Sequence, residues 1–273
     1  MTQLMQGKKG LIMGVANDHS IAWGIARALA ESGAELAFTY QGETLERRVR
    51  PLAESVGSSL LIECDVTRPE SMDALFETLK EKMGKIDFVV HAIAFSDKEE
   101  LKGRYLDTTR NNFLKTMEIS AFSFTDICRR ASEIMNEGGA CLTLTYLGAE
   151  RYFPNYNVMG VAKAALEASI HYLAYDLGEM GIRVNAISAG PVRTLAASGI
   201  TGFKQMMKFS ELNAPLGRNV SLEDVGNAAV FLVSPLSGGI TGDVLYVDSG
   251  YHTLGMLKMK NAAQTAALLN GEF

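Results

Sequence analysis

The sequence lacks the features of several protein classes. It has only three cysteines, Cys64, Cys128 and Cys141, which cannot all pair and include no CxxC motif. No apolar run approaches the roughly 18 residues needed to cross a bilayer, and the N-terminus lacks the charged and then apolar regions of a signal peptide. We therefore expect buried, reduced thiols in a cytoplasmic protein without a membrane span.

Patterns typical of metal sites and nucleic-acid-binding surfaces are also missing. The four histidines are scattered and form neither an HExxH motif nor a paired Cys/His pattern, so we expect no metal site. A net charge of −5 and a pI of about 5.5 argue against a general nucleic-acid surface. A hydrophobic fraction of 47% with 21% charged residues is that of an ordinary globular protein.

Short apolar runs alternate along the chain with longer amphipathic stretches. The runs are Gly10–Met13, Leu36–Thr39, Leu60–Ile62, Ile86–Val90, Ala140–Leu144, Val184–Ile187 and Val244–Val247. The stretches are Ile21–Ser32, Thr44–Val56, Pro69–Met83, Asn111–Asn136, Val158–Met180 and Leu222–Val233. Because parallel strands need crossover helices, this order predicts a Rossmann-like, doubly wound seven-stranded parallel sheet with helices on both faces. No repeat or linker divides residues 1–273, so we expect a single domain.

The turn after the first apolar run is a candidate anion site. Gly14 ends the run, and Ser20 stands where it can cap the next helix, whose N-terminal amides favour an anion. Gly24, one turn into that helix, would allow close packing against the sheet. Because the usual GxGxxG pattern is absent, an ordinary strand-turn-helix corner explains this segment equally well by itself.

The next strand ends carry residues suited to a dinucleotide. Gln41 is neutral and can bind ribose hydroxyls without repelling a phosphate. The nearby Arg47 and Arg48 could bind a 2′-phosphate, but their helical position favours a solvated face, so we expect NADH rather than NADPH. Asp65 can accept a hydrogen bond from an adenine amino group while Val66 packs on the ring. Alternatively, Asp65 simply begins a turn.

The most specific chemical pattern is Tyr156 and Lys163, seven residues apart, preceded by Tyr146 at the end of the fifth apolar run. Seven residues turn a helix by about 700°, which places both side chains on nearly the same face, two turns apart. Gly160 occupies the lysine position of the more usual Tyr-xxx-Lys pair. That closer ammonium lowers a tyrosine pKa for carbonyl reduction, whereas the enolate formed from an enoyl thioester needs only a neutral hydrogen-bond donor. The wider spacing therefore favours reduction of a carbon–carbon double bond.

Beyond the sixth apolar run, Thr194 is placed to contact a pyrophosphate or a carboxamide. The segment from Ile200 to Phe209 is apolar and contains methionines. It is either a cover over an acyl chain or a plain core helix, because adaptable methionines suit both.

Three segments carry a resemblance to a known family. They are SIAWGIA at 20–26, YLGAERYFPNYNVMGVAKAALEAS at 146–169 and RVNAISAGPVRTLAASGI at 183–200. They resemble bacterial enoyl-acyl carrier protein reductases, which are divergent members of the short-chain dehydrogenase/reductase superfamily. The similarity extends from about residue 5 to residue 251, and Tyr-x6-Lys is its most specific motif.

The resemblance implies NADH-dependent reduction of the trans-2 double bond of enoyl-acyl carrier protein thioesters in type II fatty-acid biosynthesis, with hydride added at C3. It implies that Tyr156 donates to the enolate oxygen, Lys163 holds the nicotinamide ribose, and Tyr146 is the second active-site tyrosine. Ser96 falls at a substrate-contact position where alanine is the familiar residue. The other positions that match the family's NAD contacts are Gly14, Ser20, Ile21, Gln41, Asp65, Val66, Ile93, Val192, Arg193, Thr194, Leu195 and Ala196.

The resemblance further implies a cytoplasmic homotetramer, a substrate-covering loop over about 192–210 and sensitivity to triclosan-type inhibitors. A C-terminal tail over about 252–273 matches the family less clearly. Two alternatives remain open. A carbonyl reductase of the same superfamily would act on 3-ketoacyl thioesters, against which the missing Tyr-xxx-Lys counts; a non-catalytic dinucleotide-binding regulator would not need both Tyr156 and Lys163.

Overall fold

The structure is a computed structural model that describes residues 3–194 and 202–271. Its strands are β1 (Lys9–Met13), β2 (Glu35–Tyr40), β3 (Leu61–Glu63), β4 (Ile86–His91), β5 (Met135–Thr145), β6 (Arg183–Ala189) and β7 (Val244–Val247). They form a parallel sheet in the order β3-β2-β1-β4-β5-β6-β7. The predicted seven-stranded, doubly wound sheet is confirmed.

Helices follow most strands and return the chain to the opposite edge of the sheet. They are α1 (Ile21–Glu31), α2 (Gly42–Ser55), α3 (Pro69–Met83), α4 (Arg110–Met117), α5 (Ser123–Ser132), α6 (Asn157–Gly178), α7 (Phe203–Asn213), α8 (Leu222–Val233) and α9 (Ala262–Leu269). Pro69 occupies the first turn of α3, where its missing N–H costs no helical hydrogen bond.

The two faces of the sheet carry separate hydrophobic cores. Leu11 and Val89 pack with α3, α5 and α6 on one face. Their neighbours Ile12 and Phe88 pack with α1, α2 and α8 on the other. Since successive strand residues point to opposite faces and both faces are covered, the strands read as continuous apolar runs rather than as alternating patterns.

The predicted helix over Asn111–Asn136 is wrong at its C-terminal end and in its regularity. A π-helical turn over 118–122 separates α4 from α5, and β5 already begins at Met135. Buried Ile134 and Met135 extend the apolar pattern of α5 beyond its end. Gly138, at φ 80°, lies where the pairing of β4 with β5 shifts register. This irregular strand start has no apolar periodicity of its own.

Gly24 allows a close contact, but not the one predicted. A Cβ at Gly24 would lie 2.8 Å from the Cβ of Leu222 in α8, and one at Gly226 would lie 2.7 Å from the carbonyl oxygen of Gly24. These glycines therefore let α1 and α8 approach each other, rather than letting α1 approach the sheet.

All three cysteines are buried and unpaired, as the sequence predicts. No helix within residues 3–194 and 202–271 is long and apolar enough to cross a membrane. In the same ranges, no group of three or more histidine, cysteine or acidic side chains is arranged to hold a metal ion.

Candidate active site

A cleft of about 760 Å³ opens at the carboxyl ends of the central strands. This volume is within the range of small-molecule sites. The cleft lies where the strand order reverses, since β1 has β2 on one side and β4 on the other; α/β sheets bind ligands at such a point. Ten of the predicted site residues line it: Gly14, Ser20, Ile21, Ile93, Ser96, Tyr146, Tyr156, Lys163, Val192 and Thr194.

The turn between β1 and α1 forms one wall of this cleft. Gly14 has φ 98°, and a Cβ there would lie 2.1 Å from the carbonyl oxygen of Ala92 after β4, so only glycine fits. Ser20 is at the N-cap of α1, but its hydroxyl accepts from the amides of Ala16 (3.0 Å) and Asn17 (3.1 Å). The predicted side-chain cap is therefore wrong, because the loop folds back onto the hydroxyl. The N-terminus of α1 has no side-chain cap, and its positive end remains available to an anion.

Tyr156 precedes α6 rather than lying within it. It is the N-cap residue, and its neighbours Asn155 and Asn157 have φ 59° and 38°. The 700° rotation assumed for Tyr156 and Lys163 is therefore wrong, because Tyr156 stands before the first residue of α6 with left-handed backbone on either side, although both side chains line the same cleft. Asparagine tolerates this conformation better than most residues. The Asn157 amide also donates to the carbonyl of Leu101 at 3.1 Å, which anchors the start of α6.

Tyr146 and Tyr156 form an aromatic pair inside the cleft. Their rings meet edge to face with centroids 5.2 Å apart. Burial raises the pKa of both phenols above the usual value of 10, and the charge of Glu167 raises the pKa of Tyr156 further. Both hydroxyls are therefore protonated at neutral pH and can donate hydrogen bonds.

Lys163 is buried beside the tyrosines. Its Nζ donates to the carbonyl oxygen of Leu144, at the end of β5, at 2.7 Å. Burial lowers the lysine pKa from 10.5 to about 8, and the carboxylate of Glu167 acts in the opposite direction. Glu167 itself accepts from the hydroxyl of Thr145 at 2.5 Å. The ammonium still predominates at neutral pH, and one of its three N–H groups is held by Leu144.

The proteins that this chain resembles are consistent with this geometry. A sequence model of the family described as enoyl-(acyl carrier protein) reductase matches residues 14–252. A Rhizobium meliloti protein named enoyl-acyl carrier protein reductase (NADH) 1 is 65% identical over 253 residues, 93% of each chain. The chain belongs to the enoyl-acyl carrier protein reductase family.

Solved structures of enoyl-acyl carrier protein reductases show the same fold. An Anaplasma phagocytophilum enzyme in complex with NAD is 57% identical, with a TM-score of 0.92 over 95% of this chain and 99% of that one. A Bacillus cereus enzyme with NADP+ and indole naphthyridinone is 56% identical, with a TM-score of 0.92 over 94% of this chain and all of that one (100%).

The residues that the family resemblance assigns to the adenosine end lie outside the lining of the 760 Å³ cleft. Gln41 is the N-cap residue of α2, and Asp65 accepts from the amide and hydroxyl of Thr67 at 2.9 and 2.7 Å. Asp65 therefore does begin a turn, as the alternative interpretation predicts, and this contact does not exclude a further hydrogen bond from an adenine amino group. Burial alone would raise its pKa, but hydrogen bonds from Thr67 and Gln41 lower it overall, so the carboxylate stays an acceptor. Val66 packs half-buried against the core.

Four further family positions have different outcomes. Ser96 is in the cleft wall, but its hydroxyl is bonded to Thr116 (3.0 Å) and to the amide of Asn112 (3.1 Å). Arg193 is exposed and does not line the cleft. Leu195 and Ala196, with the covering loop up to residue 201, lie outside the described residues.

The donor set of the site fits a nicotinamide dinucleotide. The uncapped N-terminus of α1 suits a pyrophosphate, and the remaining N–H groups of Lys163 suit ribose hydroxyls. Neutral Gln41 follows β2 where an acid would repel a 2′-phosphate, which is compatible with a family that includes structures with both NAD and NADP+.

An acidic residue and several apolar residues near the site were not predicted as site residues from the sequence. Glu167 stands four residues after Lys163, one helical turn on, and that spacing was the available signal. Met159, three residues after Tyr156, joins an apolar part of the cleft. Phe203 and Met206 were assigned only to an apolar segment, and the structure places them in the cleft wall on α7.

Proposed function

We propose that this enzyme reduces the trans-2 double bond of enoyl-acyl carrier protein thioesters with NADH, in type II fatty-acid biosynthesis. One observation carries the proposal: two half-buried tyrosines with protonated hydroxyls and a buried lysine ammonium line one cleft whose remaining wall is largely apolar. The polar groups suit a thioester carbonyl and a ribose, and the apolar wall suits an acyl chain.

Tyr156 donates a hydrogen bond to the thioester carbonyl oxygen. This bond strengthens as the oxygen gains negative charge, and one such donor typically lowers the barrier by about 2.7–4 kcal/mol. The raised pKa of the phenol keeps the proton on Tyr156, so the residue stabilises the enolate without ionising. Tyr146 packs against Tyr156 edge to face and fixes the orientation of its ring.

Lys163 and the strand ends hold the cofactor. The ammonium binds the nicotinamide ribose hydroxyls while Leu144 retains one N–H. Gly14, Ser20 and Ile21 surround the pyrophosphate at the start of α1. Gln41, Asp65 and Val66 bind the adenosine, and Ile93 with residues 192–196 contacts the remainder. When bound, NADH would supply a hydride to substrate C3, and a proton from solvent water would then add at C2 and neutralise the enolate.

We also propose that residues 1–273 act as a single reductase domain, with 192–210 as the substrate-covering loop and the tail from about 252 at its end.

The family resemblance supports a cytoplasmic homotetramer that receives its substrate on acyl carrier protein. Tyr172 and Tyr175 of α6, 76% and 81% exposed, are apolar surface that a neighbouring subunit would cover. Sedimentation velocity tests this: a tetramer is expected, and a monomer at micromolar concentration would contradict it.

The reaction is tested by mixing the protein with NADH and a crotonyl thioester and following nucleotide absorbance. We expect NADH to be consumed, with NADPH slower. Failure with both nucleotides would overturn the proposal. Faster turnover of a 3-ketoacyl thioester would favour the carbonyl-reductase alternative, and tight NADH binding without reduction of either thioester would favour the regulator.

A further inference from the structure

A second cleft of about 610 Å³ adjoins the catalytic cleft. We call it the tail cleft. Its walls are the loop 151–155, the first half of α7 and the C-terminal tail, which contributes residues 254–257 and the end of α9. Among the described lining residues, Arg151 is the one charged side chain. Its guanidinium is turned to backbone, donating to the carbonyls of His252 (2.7 Å) and Leu254 (3.2 Å), so the cleft presents mainly hydrocarbon.

Met206 separates the two clefts. Met206 and Phe203 line both of them, and a small gap between the clefts is also bounded by Met206, with Tyr146 and Phe153. The Tyr146 hydroxyl donates to the Met206 sulfur at 3.4 Å. A thioether is a weak acceptor, and an unbranched methionine side chain changes rotamer easily. The side chain of Met206, which separates the two clefts, can therefore change its rotamer easily.

Polar contacts hold the tail beside α7, together with buried Leu268 of α9. The backbone amide of Lys258 donates to Asn213 at 3.1 Å, and its Nζ donates to the carbonyl of Ala214. Asn261 donates to the carbonyl of Leu212. Met256 and Leu269 line the tail cleft yet are 76% and 70% exposed. Hydrocarbon grouped in this way around a concave surface indicates a site for an apolar ligand.

We propose that the tail cleft receives the distal methylenes of long acyl chains, with Met206 moving aside to admit them. The inference rests on the proposed function, and it makes the C-terminal tail a determinant of acyl-chain length. Short chains end within the catalytic cleft and do not reach the tail. An acyl chain fits this site better than a second copy of the protein, because the tail cleft is concave and adjoins the cleft in which the thioester reacts.

The test is a pair of substitutions at equally exposed methionines. Met256→Asp places a carboxylate in the tail cleft, whereas Met259→Asp changes a residue of the same tail that is 75% exposed and outside the lining. The kcat/KM of each variant is measured with trans-2-enoyl thioesters from crotonyl to hexadecenoyl. Each buried methylene is worth about fourfold in binding. We expect Met256→Asp to lower the hexadecenoyl-to-crotonyl ratio by about tenfold or more and Met259→Asp to leave it unchanged.

A steric variant tests the same cleft without adding charge. Gly255 lines the tail cleft, and a Cβ there would have no atom within 4 Å. A Cβ at Gly239, which is outside the cleft, would meet equally open space. Gly255→Phe should lower the hexadecenoyl-to-crotonyl ratio, and Gly239→Phe should not. Sedimentation velocity is run on all four variants.

Three outcomes overturn the inference. They are an unchanged ratio in both cleft variants, an equal loss for short and long substrates, and a changed oligomeric state in the cleft variants, which would make the tail cleft a subunit interface. If the unmodified protein does not reduce crotonyl thioester at all, the proposed function itself fails. Crotonyl reduction with an unchanged ratio in the variants would refute only the role of the tail cleft.

Discussion

Gly160 lies so close to Gly148 that a Cβ at position 160 would be 2.7 Å from the Gly148 carbonyl oxygen. Position 160 is where the more usual Tyr-xxx-Lys pair places its lysine. Here the turn that supports Tyr156 occupies that space, since a Cβ at Gly148 would in turn lie 2.5 Å from the Tyr156 ring. The wide spacing of Tyr156 and Lys163 is therefore built into the packing of this turn against α6.

A side chain at position 160 should destabilise the enzyme. Gly160→Ala forces a methyl group against backbone, and we expect the free energy of unfolding to fall by about 1–3 kcal/mol, the usual cost of overpacking. Urea denaturation measures this. Gly178→Ala is the matched control on the same helix, because no atom lies within 4 Å of a Cβ there; it should be neutral or stabilising by up to about 1 kcal/mol. Equal effects of the two substitutions would contradict the packing argument.

Tyr156 and Lys163 should fail in different ways when substituted. Tyr156→Phe removes the proposed oxyanion donor and should lower kcat by about 10²–10³-fold, with NADH affinity nearly unchanged. Lys163→Met removes the ammonium and should chiefly raise the Kd for NADH. Fluorescence titration and steady-state kinetics separate the two effects. A Tyr156→Phe variant that loses NADH binding while Lys163→Met retains it would reverse the assigned roles.

NADH binding should weaken in alkaline solution. Lys163 has a pKa of about 8 in the folded protein, lowered by burial. Because the proposed contact needs the ammonium, the Kd should be constant well below pH 8 and rise above it, approaching about tenfold per pH unit. Glu167 and His91 are the groups whose pKa values respond to the charge of Lys163. The pKa of Glu167 also responds to the charges of Glu150 and His171. In Lys163→Met the inflection should be absent; an unchanged inflection would assign it to another group.

His91 should make the fold sensitive to mild acid. Its ring is fully buried between the hydroxyls of Thr143 and Ser123, each at 2.9 Å. Burial, and secondarily the charge of Lys163, lower its pKa to about 3. The unfolded chain binds a proton near pH 6.5 and the folded chain does not, so stability is lost as the pH falls from about 6.5 toward 3, by up to about 1.4 kcal/mol per pH unit.

Urea denaturation at pH 7 and pH 5 measures this effect. Other groups also titrate in this interval, so the informative quantity is the difference between the unmodified protein and His91→Gln, which cannot titrate at position 91. We expect the variant to be less stable at pH 7 but to lose less stability on acidification. Parallel pH profiles for the two proteins would show that His91 does not contribute.

Local sequence determined the sheet and the order of its elements. Buried strands carry runs of consecutive apolar residues, such as Phe88–Val90 in β4, because both faces are covered, and glycine or proline marks the ends of helices such as α3. Since the carboxyl ends of parallel strands share one edge, the sequence also located the site. The identities of Tyr156, Lys163 and Tyr146 then predicted a reductase, because the tyrosines supply neutral hydrogen-bond donors and the lysine supplies an ammonium.

Only the tertiary structure decided contacts between segments distant in sequence. The partner of Gly24 is Leu222 in α8, and the space at Gly160 is filled by Gly148; neither follows from local periodicity. Left-handed backbone at Asn157 removes Tyr156 from the helix, which a count of residues per turn cannot detect. The tail cleft exists because polar contacts fix the tail beside α7. Local propensity and hydrophobic period depend on neighbouring residues, whereas close packing depends on which surfaces the whole fold brings together.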